Sequence, residues 1–249
     1  MNTVFIGTAG SGKSSLTATF GKWLEKETKS EVAYVNLDPG CHSTPYEPDF
    51  DVRELFTVNG LMREEGLGPS GAMVRAADLM EERASEVVGG IAEIGGDVKL
   101  VDTPGQTEIF LFRPAGPRIV GALKERDRTV AAYVIDPILA STATGLTVAL
   151  SLSIVAQLRL GVPTVPVMNK SDLLESGEVV RLLTDRERLK SKVEEEGGVL
   201  ADLASEYLGA MRKVSKTIRL VKVSAKMGSG MGDLYDAVRE TVCACGDLT

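Results

Sequence analysis

The chain has 249 residues, and its hydrophobic content of 43% is ample for the core of one α/β domain. Its 28 basic and 35 acidic residues give a formal net charge of −7 at pH 7. This balance excludes a global basic field of the kind that recruits nucleic acid, although a local basic patch is compatible with it. We therefore expect no direct nucleic-acid partner.

The three cysteines form no even disulfide framework, which favours a reducing compartment. Strand-like residues begin at Thr3, so the N-terminus has no basic-then-apolar signal segment, and we expect a cytoplasmic protein. The pairs Cys41-His42 and Cys243-Ala244-Cys245 supply two metal ligands each, which is too few for a tetrahedral site. A metal shared by the second pair across a dimer interface stays an open alternative.

A glycine-rich loop follows the first predicted strand, which ends at Ile6, and precedes an amphipathic helical pattern over residues 16–27. The loop, residues 7–15, fits the P-loop pattern at every fixed position. Its glycines let successive backbone N–H groups curl around a phosphate, and the following helix adds the positive end of its dipole. We expect Lys13 to reach the β- and γ-phosphates and the Ser14 hydroxyl to bind Mg²⁺. The predicted nucleotide-binding residues here are Gly10, Ser11, Gly12, Lys13, Ser14 and Ser15.

Acidic residues close two further predicted strands, residues 32–37 and 98–101. At the carboxyl end of a strand beside a P-loop, such a residue faces the ligand crevice. Asp102 is predicted to lie near Mg²⁺, and Gly105, three residues later, to offer a backbone N–H to the γ-phosphate. Asp38 is predicted to hold a Mg²⁺-bound water or to orient the attacking water. The alternative for Asp38 is a turn residue before proline.

Two polar residues after Asp102 are candidate catalytic groups. Gln106 lies where Ras-type GTPases keep their water-orienting glutamine, and Glu108 follows two residues later. The alternative is that both are solvated residues of a mobile loop.

A base-reading motif follows the fifth predicted strand, residues 162–168. The carboxylate of Asp172 can accept two N–H bonds from guanine, whereas adenine would leave a buried aspartate there unpaired. The aliphatic stem of Lys170 can cover the base face. After the last predicted strand, residues 218–223, a loop can direct a backbone N–H to the guanine O6. The motifs thus predict GTP/GDP binding, with these further contacts: Gly105, Asn169, Lys170, Asp172, Ser224, Ala225 and Lys226.

Alternating strand and helix patterns predict one P-loop domain over residues 1–249, with a doubly wound, mostly parallel sheet. Two segments depart from the alternation and are predicted to be insertions, residues 41–96 and 173–217. The second is rich in Lys, Arg and Glu of mixed sign, which indicates a solvated helical excursion.

The first insertion is predicted to contain a short helix-like stretch at residues 51–65 and a tight turn at 66–71. A long helical pattern follows from Met73 to Val88, which the glycine pairs at 89–90 and 95–96 weaken and end.

Residues 137–158 carry no formal charge, a length that raises the question of a membrane span. The stretch also holds several Ser, Thr and Gln residues. This mixture favours a helix at 141–160 buried against a sheet, and we expect no membrane partner.

In their order along the chain, and with Gly68-Pro69-Ser70 between the two acidic residues, these motifs resemble the GPN-loop GTPases. The resemblance covers nearly the whole chain, and the archaeal homodimeric members are the most similar. Further matching segments are Asn36-Leu37-Asp38-Pro39-Gly40, Pro45-Tyr46-Glu47-Pro48, Asp51-Val52-Arg53-Glu54, Phe110-Leu111-Phe112 and the stretch from Cys243 to Leu248.

The resemblance implies a P-loop NTPase of the class that includes signal-recognition and nitrogenase-type nucleotide-binding proteins (SIMIBI). Such proteins dimerise, and the Gly-Pro-Asn loop of one subunit reaches into the partner's site. The resemblance also implies that Asp38, Asp102, Gln106 and Glu108 lie near Mg²⁺ and the attacking water. Eukaryotic relatives assist RNA polymerase assembly or nuclear import, which implies a protein client.

Ser70 departs from the family pattern, because it replaces the asparagine of the signature. Serine is shorter than asparagine and carries one hydroxyl instead of a carboxamide. We hypothesise that the loop geometry survives while its stabilisation of phosphate is weaker. Ser70 is nevertheless a catalytic candidate, and the Gly68-Pro69-Ser70 region is the predicted homodimer contact.

The sequence therefore predicts a dimeric switch that hydrolyses GTP to GDP and phosphate. A slow or non-hydrolysing GTP-dependent assembly factor is the main alternative, because of Ser70. A small-molecule kinase would not need the guanine-reading motif. An ATPase with a deviant P-loop would carry an extra lysine early in the loop, where residues 7–10 have none.

Overall fold

The computed structural model describes residues 1–174, 186–199, 201–206 and 220–246. Its strands are β1 (Asn2–Ile6), β2 (Val32–Asn36), β3 (Phe50–Asp51), β4 (Val98–Asp102), β5 (Thr129–Ile135), β6 (Thr164–Met168) and β7 (Val221–Lys222). They form one sheet in the order β3-β2-β4-β1-β5-β6-β7, and every pairing is parallel. The predicted doubly wound parallel sheet is confirmed.

Helices connect the strands and cover both faces of the sheet. They are α1 (Lys13–Trp23), α2 (Val58–Glu64), α3 (Pro69–Glu82), α4 (Ala84–Glu93), α5 (Thr107–Phe112), α6 (Ala115–Arg126), α7 (Ala143–Leu160), α8 (Arg186–Glu196) and α9 (Met231–Gly246). A π-helical turn, Leu24–Thr28, extends α1, and residues 201–206 are also helical.

Side-chain alternation along the strands divides the core into two layers, as in any sheet buried on both faces. Phe5 of β1 packs with Phe20 of α1 and Leu234 of α9 on one face. Ile6, its neighbour, packs on the other face with residues of α4, α6 and α7. All five residues of β1 are buried, so the strand before the glycine loop is anchored at the centre of the molecule.

The prediction of one helix-like stretch over residues 51–65 is wrong at its start. Phe50–Asp51 pairs with β2 as the edge strand β3, and α2 begins only at Val58. The Asp51 carboxylate accounts for the difference, because it accepts hydrogen bonds from the backbone N–H of Arg53 and from Asn36 Nδ2, both at 2.9 Å. These bonds hold the backbone in an extended segment followed by a 3₁₀ turn.

The long helical pattern of the first insertion is two helices instead of one. α3 already begins at Pro69, with Gly68 as its N-cap, because proline suits the first helical position. The break falls at Arg83, whose φ of −99° and ψ of 16° are not helical. Gly89 and Gly90 lie inside α4, which ends at Glu93 before the second glycine pair.

The uncharged stretch forms α7, which packs against β5 and β6. Thr142 caps its start by accepting the N–H of Gly145, and Gly161 ends it in the left-handed conformation. Within the described residues, α7 alone is long and apolar enough to span a membrane by length and composition. Leu146, with no exposed surface, lies on the side that faces the sheet, as the interpretation of a core helix requires.

The second insertion, residues 173–217, lies partly outside the described residues. Its described part contains α8, whose Leu189 and Val193 pack into the core beside α7. The last predicted strand is also described only in part, as β7.

The two adjacent glycines of α4 allow a matched test of packing. A Cβ at Gly90 would lie 2.5 Å from Cε2 of Phe50, whereas a Cβ at Gly89 meets nothing within 4 Å. Both alanine variants gain helix propensity, so their difference reports the overpacking, which costs about 1–3 kcal/mol. We expect urea denaturation to give Gly90→Ala an unfolding free energy lower than that of Gly89→Ala by about this amount. Equal stabilities would contradict the contact between α4 and β3.

Candidate active site

The predicted site residues gather at one edge of the sheet. Because all strands are parallel, the loops that follow β1, β2, β4, β5 and β6 leave from their carboxyl ends on the same side. The P-loop follows β1, which lies between β4 and β5. The phosphate motif is therefore flanked by the acidic residues on one side and by the base-reading motif on the other.

Close packing explains two glycines of the P-loop. Gly12, the N-cap of α1, has a φ of +86°, and a Cβ there would lie 2.5 Å from Asn169 Nδ2. A Cβ at Gly7 would lie 2.3 Å from the carbonyl oxygen of Val134 in β5. Any side chain at either position would displace its neighbours, so the loop backbone itself forms the surface of the site.

The Lys13 ammonium is buried inside the curve of the loop. The residue is 6% exposed, and its Nζ donates to the carbonyl oxygens of Gly7 at 2.8 Å and Thr8 at 3.2 Å. Burial lowers the pKa of Lys13, and the carboxylates of Asp102 and Asp38 act in the opposite direction. A buried cation beside helix-terminal N–H groups is the environment that an anionic phosphate requires.

Asp102 ends β4 with 1% of its surface exposed. Its Oδ2 accepts a hydrogen bond from the Tyr46 hydroxyl at 3.0 Å, whereas its buried Oδ1 has no hydrogen-bond partner among the described residues. Burial raises the pKa of Asp102 to about 6, against the hydroxyls of Ser14 and Tyr46 and the Lys13 ammonium, which lower it. A buried carboxylate oxygen without a partner is a strong candidate for a cation ligand.

This donor set fits Mg²⁺. The Ser14 hydroxyl lies close enough to Asp102 to influence its pKa, and both groups offer oxygen ligands. Mg²⁺ is usually bound through one or two protein oxygens together with substrate phosphates. Ser14 and Asp102 are therefore the residues that would hold the ion.

Asp38 is held in place by its neighbours at the end of β2. Its backbone N–H donates to Asn36 Oδ1 at 3.0 Å, and its own Oδ1 accepts the N–H of Gly40 at 2.9 Å. Asn36 is fully buried and also donates to Asp51, which pairs with Arg53. Asp38 thus lies in a braced turn close enough to Lys13 to raise the pKa of that ammonium.

The segment after Asp102 lies against the P-loop. A Cβ at Gly105 would lie 3.3 Å from Cβ of Ala9, and the Thr103 hydroxyl donates to the carbonyl oxygen of Phe5. Gln106 is half-buried at the N-cap of α5, and Glu108 is exposed in the first turn of that helix. Gln106 therefore lies at the start of α5, next to the residue that packs on the P-loop, whereas Glu108 is exposed to solvent.

Asn169 joins the two ends of the site. Its Nδ2 donates to the carbonyl oxygen of Ser11 in the P-loop at 2.9 Å, and its Oδ1 accepts the N–H of Ala225 at 3.1 Å. The residue is 1% exposed, so both bonds are shielded from water. Asn169 thus braces the P-loop and connects it to the loop after β7.

Lys170 and Asp172 form the base end of the site. Lys170 Nζ pairs with Asp136 Oδ2 at 2.6 Å, and Cε of Lys170 lies 3.9 Å from where a Cβ of Gly12 would be. The stem of Lys170 thus lies beside the P-loop, where a base would stack. The Ser224 hydroxyl donates to Asp172 Oδ1, and this bond is the main cause that lowers the pKa of Asp172.

The expectation of a buried Asp172 is wrong, because the residue is exposed. It lies in a 3₁₀ turn, Ser171–Leu173, at the mouth of the site. A preference for guanine through Asp172 would therefore depend on paired hydrogen bonds and the negative charge, because the free protein has no desolvated pocket at this residue. The loop after β7 is also open at Lys226, which is exposed, although Ser224 is fully buried.

Ser70 is the remaining catalytic candidate. It is exposed in the first turn of α3. The P-loop residues Gly10 and Ser15 are also exposed, at the rim of the loop, whereas Ser11 is buried beneath it.

Several residues that hold these groups in place had no role predicted from the sequence. Tyr46 contacts Asp102 from 56 positions earlier in the chain, and Asp136 lies 34 positions before Lys170. Tyr46 lies between two prolines in the sequence. No sequence pattern connects it to Asp102 at the end of β4, because three α-helices lie between the two residues along the chain. The other residues with no predicted role are Asn36, Asp51 and Arg53.

A phosphate-binding loop, a buried acid suited to Mg²⁺ and a carboxylate at the base end define a P-loop protein built for guanine nucleotides. The matching family model and the similar proteins differ in the nucleotide that their descriptions name. The family model described as "Conserved hypothetical ATP binding protein" matches residues 5–244. The chain is 38% identical to GPN-loop GTPase PAB0955 of Pyrococcus abyssi, with 100% of both chains covered.

Two further similarities support the same family. GPN-loop GTPase QQT2 of Arabidopsis thaliana is 32% identical over 94% of this chain, which spans 62% of that relative. The crystal structure of PAB0955, a GTPase in apo form, has a TM-score of 0.89 at 37% identity and 98% coverage of both chains. The chain belongs to the GPN-loop GTPase family and is a GTP-hydrolysing enzyme, which confirms the resemblance inferred from the motifs.

Asp172→Asn tests the base-reading role. The asparagine amide keeps one acceptor oxygen, but its NH₂ group would face a guanine N–H group, and two donors cannot form a hydrogen bond. Xanthine has a carbonyl oxygen in place of the guanine amino group, and this oxygen can accept the amide N–H. Because hydrogen bonds to a charged group contribute about 1.5–3 kcal/mol each, GTP affinity should fall roughly 100-fold while XTP affinity rises. Fluorescence titration with both nucleotides measures the shift. Asp236→Asn, which removes the same charge on an exposed face of α9, should leave both affinities unchanged. Unaltered GTP preference in Asp172→Asn would remove Asp172 from the base site.

Proposed function

We propose that this GTPase is a Mg²⁺-dependent homodimeric switch, in which GTP closes the dimer and GDP loosens it for a protein client in the cytoplasm. The observation that carries the proposal is the buried pair of Lys13 and Asp102, the latter with an oxygen free to bind a cation. The two groups lie on either side of the position where the terminal phosphates of a bound nucleotide must be.

The chain's own residues account for most of the chemistry of hydrolysis. Lys13 and the P-loop N–H groups stabilise negative charge that develops on the transferring phosphoryl group. Bound Mg²⁺, held by Ser14 and Asp102, would neutralise charge on the phosphate oxygens. Gln106 and a carboxylate orient the attacking water. Of the two candidate carboxylates, Asp38 is favoured, because it is half-buried close to Lys13 whereas Glu108 is exposed.

The packing of α3 supports a switch. Pro39 directly follows Asp38, and Pro104 lies two residues after Asp102. Both prolines line a narrow cavity of about 20 Å³ with Met73 and Met80 of α3. A displacement of either proline when the γ-phosphate leaves would therefore press on α3 or release it. Flexible methionine side chains suit such a sliding contact.

The first turn of α3 carries the proposed dimer contact. Its first intrahelical bond runs from the N–H of Ala72 to the carbonyl oxygen of Gly68, so the N–H groups of Ser70 and Gly71 precede the helical ladder. These donors support a role for the loop at a partner's phosphates even without the carboxamide of asparagine. The movement of α3 would then couple one subunit's nucleotide to the other subunit's site.

A slow or non-hydrolysing GTP-dependent assembly factor, acting on RNA polymerase or another complex, is the second candidate. The observation that favours it is Ser70 itself, which shortens the side chain at the signature position. In this alternative, nucleotide sets the dimer geometry without rapid turnover.

Ser70→Asn should raise the rate of phosphate release from GTP in a single turnover by about 10-fold. One hydrogen-bond donor to the transition state typically accelerates a reaction 10²–10³-fold. We expect a smaller gain here because, in our proposal, backbone N–H groups of the loop already donate to the phosphate in the wild type. Ser70→Ala, which removes the hydroxyl alone, is the matched control and should change the rate little. A rate for Ser70→Asn at or below that of the wild type would contradict the role of the loop.

A mixed dimer separates action in trans from action within one subunit. A subunit with both Lys13→Ala and Ser70→Asn lacks a working phosphate loop but offers asparagine to its partner. Adding it in excess to wild type should accelerate wild-type phosphate release. The single variant Lys13→Ala should not. No acceleration by the double variant would overturn the dimeric arrangement while leaving the GTPase assignment intact.

A further inference from the structure

We propose that Tyr46 is a positioning residue for Mg²⁺, because its hydroxyl holds one oxygen of the Asp102 carboxylate and leaves the other for the ion. The inference rests on the proposed Mg²⁺ dependence. Its test is chosen so that failure of the ion site and failure of Tyr46 give different results.

The contact between Tyr46 and Asp102 is shielded from solvent and involves only one oxygen of the carboxylate. The Tyr46 hydroxyl lies 3.0 Å from Asp102 Oδ2, and the two residues are 8% and 1% exposed. Oδ1 of the same carboxylate is buried without a partner among the described residues. A carboxylate with one oxygen bound cannot rotate freely about its Cβ–Cγ bond. The hydrogen bond therefore sets the direction in which Oδ1 points.

The ring of Tyr46 is itself fixed from two sides. It stacks on Tyr34 with ring centroids 5.1 Å apart and an interplanar angle of 15°. Tyr34 is bound to the same loop through Asp49, whose N–H donates to the Tyr34 carbonyl and whose carboxylate accepts the Tyr34 N–H. Thr44 donates to the carbonyl oxygen of Tyr46 at 2.7 Å. A hydroxyl on a ring held in this way can orient its partner.

The loop that carries Tyr46 also begins at the other catalytic carboxylate. Asp38 starts this loop at the end of β2, and the N–H of Leu37 donates to the carbonyl oxygen of Asp102 at 2.9 Å. The loop therefore begins beside the backbone of Asp102 and, at Tyr46, contacts the side chain of Asp102. Outer hydrogen-bond partners of metal ligands typically contribute 10–100-fold to metal affinity.

Tyr46→Phe removes the hydroxyl and keeps the ring. The probe is a fluorescent GDP analogue, titrated against the full-length protein in EDTA and across a range of Mg²⁺ concentrations. We expect affinity in EDTA to equal that of the wild type, and the Mg²⁺ concentration for half-maximal stabilisation of the complex to rise about 10-fold. Mn²⁺ paramagnetic resonance, which counts bound ion directly, should show the same loss.

Tyr34→Phe is the matched control. It removes the hydroxyl of the stacked neighbour, which interacts with Glu25 and not with Asp102. Its Mg²⁺ dependence should equal that of the wild type. If Tyr46 served only in packing, Tyr46→Phe and Tyr34→Phe would show the same Mg²⁺ dependence of GDP binding.

Each remaining outcome decides the matter. An unchanged or stronger Mg²⁺ effect in Tyr46→Phe would overturn the proposal, as would loss of GDP binding in EDTA, which would make Tyr46 a structural residue. In an Asp102→Asn background, Tyr46→Phe should add no further loss of Mg²⁺ affinity, and an additive loss would overturn the proposal too. A wild type whose GDP affinity ignores Mg²⁺ would overturn the ion site itself, and Tyr46 with it.

Discussion

A buried ammonium group is the constraint around which this structure is arranged. Lys13 has almost no exposed surface, and burying a charge is costly unless it is paired and hydrogen-bonded. The chain meets that requirement with two loop carbonyls at close range and two carboxylates nearby. These partners leave the N–H groups of the P-loop available for an anion. A polyphosphate can therefore bind to these N–H groups and to the ammonium, with a cation between it and the carboxylates.

Asn169 extends this local arrangement to the whole site. One carboxamide donates to the P-loop through its nitrogen and accepts from the loop after β7 through its oxygen, so it connects the phosphate end with the base end. The acidic side is organised separately, through Asn36, Asp51 and the loop that returns to Asp102 at Tyr46. The site thus has one side joined through Asn169 and a second side whose prolines line a cavity with α3. This division is compatible with the proposed transmission of hydrolysis to a partner.

Most of the site could be predicted from sequence because its chemistry needs particular residues at set offsets, as Gly12 and Lys13 or Asn169 and Asp172 illustrate. The parallel sheet followed from alternating buried strands and helices. The edge strand β3 and the break at Arg83 were not predictable, because Asp51 bonds to Asn36 and Phe50 packs on Gly90 across the fold. The exposure of Asp172 and the contact of Tyr46 with Asp102 likewise depend on how distant segments pack. No local pattern encodes such contacts.

The choice of nucleotide tests the central claim most directly, because the matching family description names ATP whereas the motifs and the relatives' names point to GTP. Phosphate release by the wild type should be measured in single turnovers with GTP and ATP in parallel, each with Mg²⁺ and with EDTA. We expect Mg²⁺-dependent release from GTP to be at least roughly 100-fold faster than from ATP, as the predicted pairing of Asp172 with guanine requires. Equal release from the two nucleotides, or faster release from ATP, would contradict it.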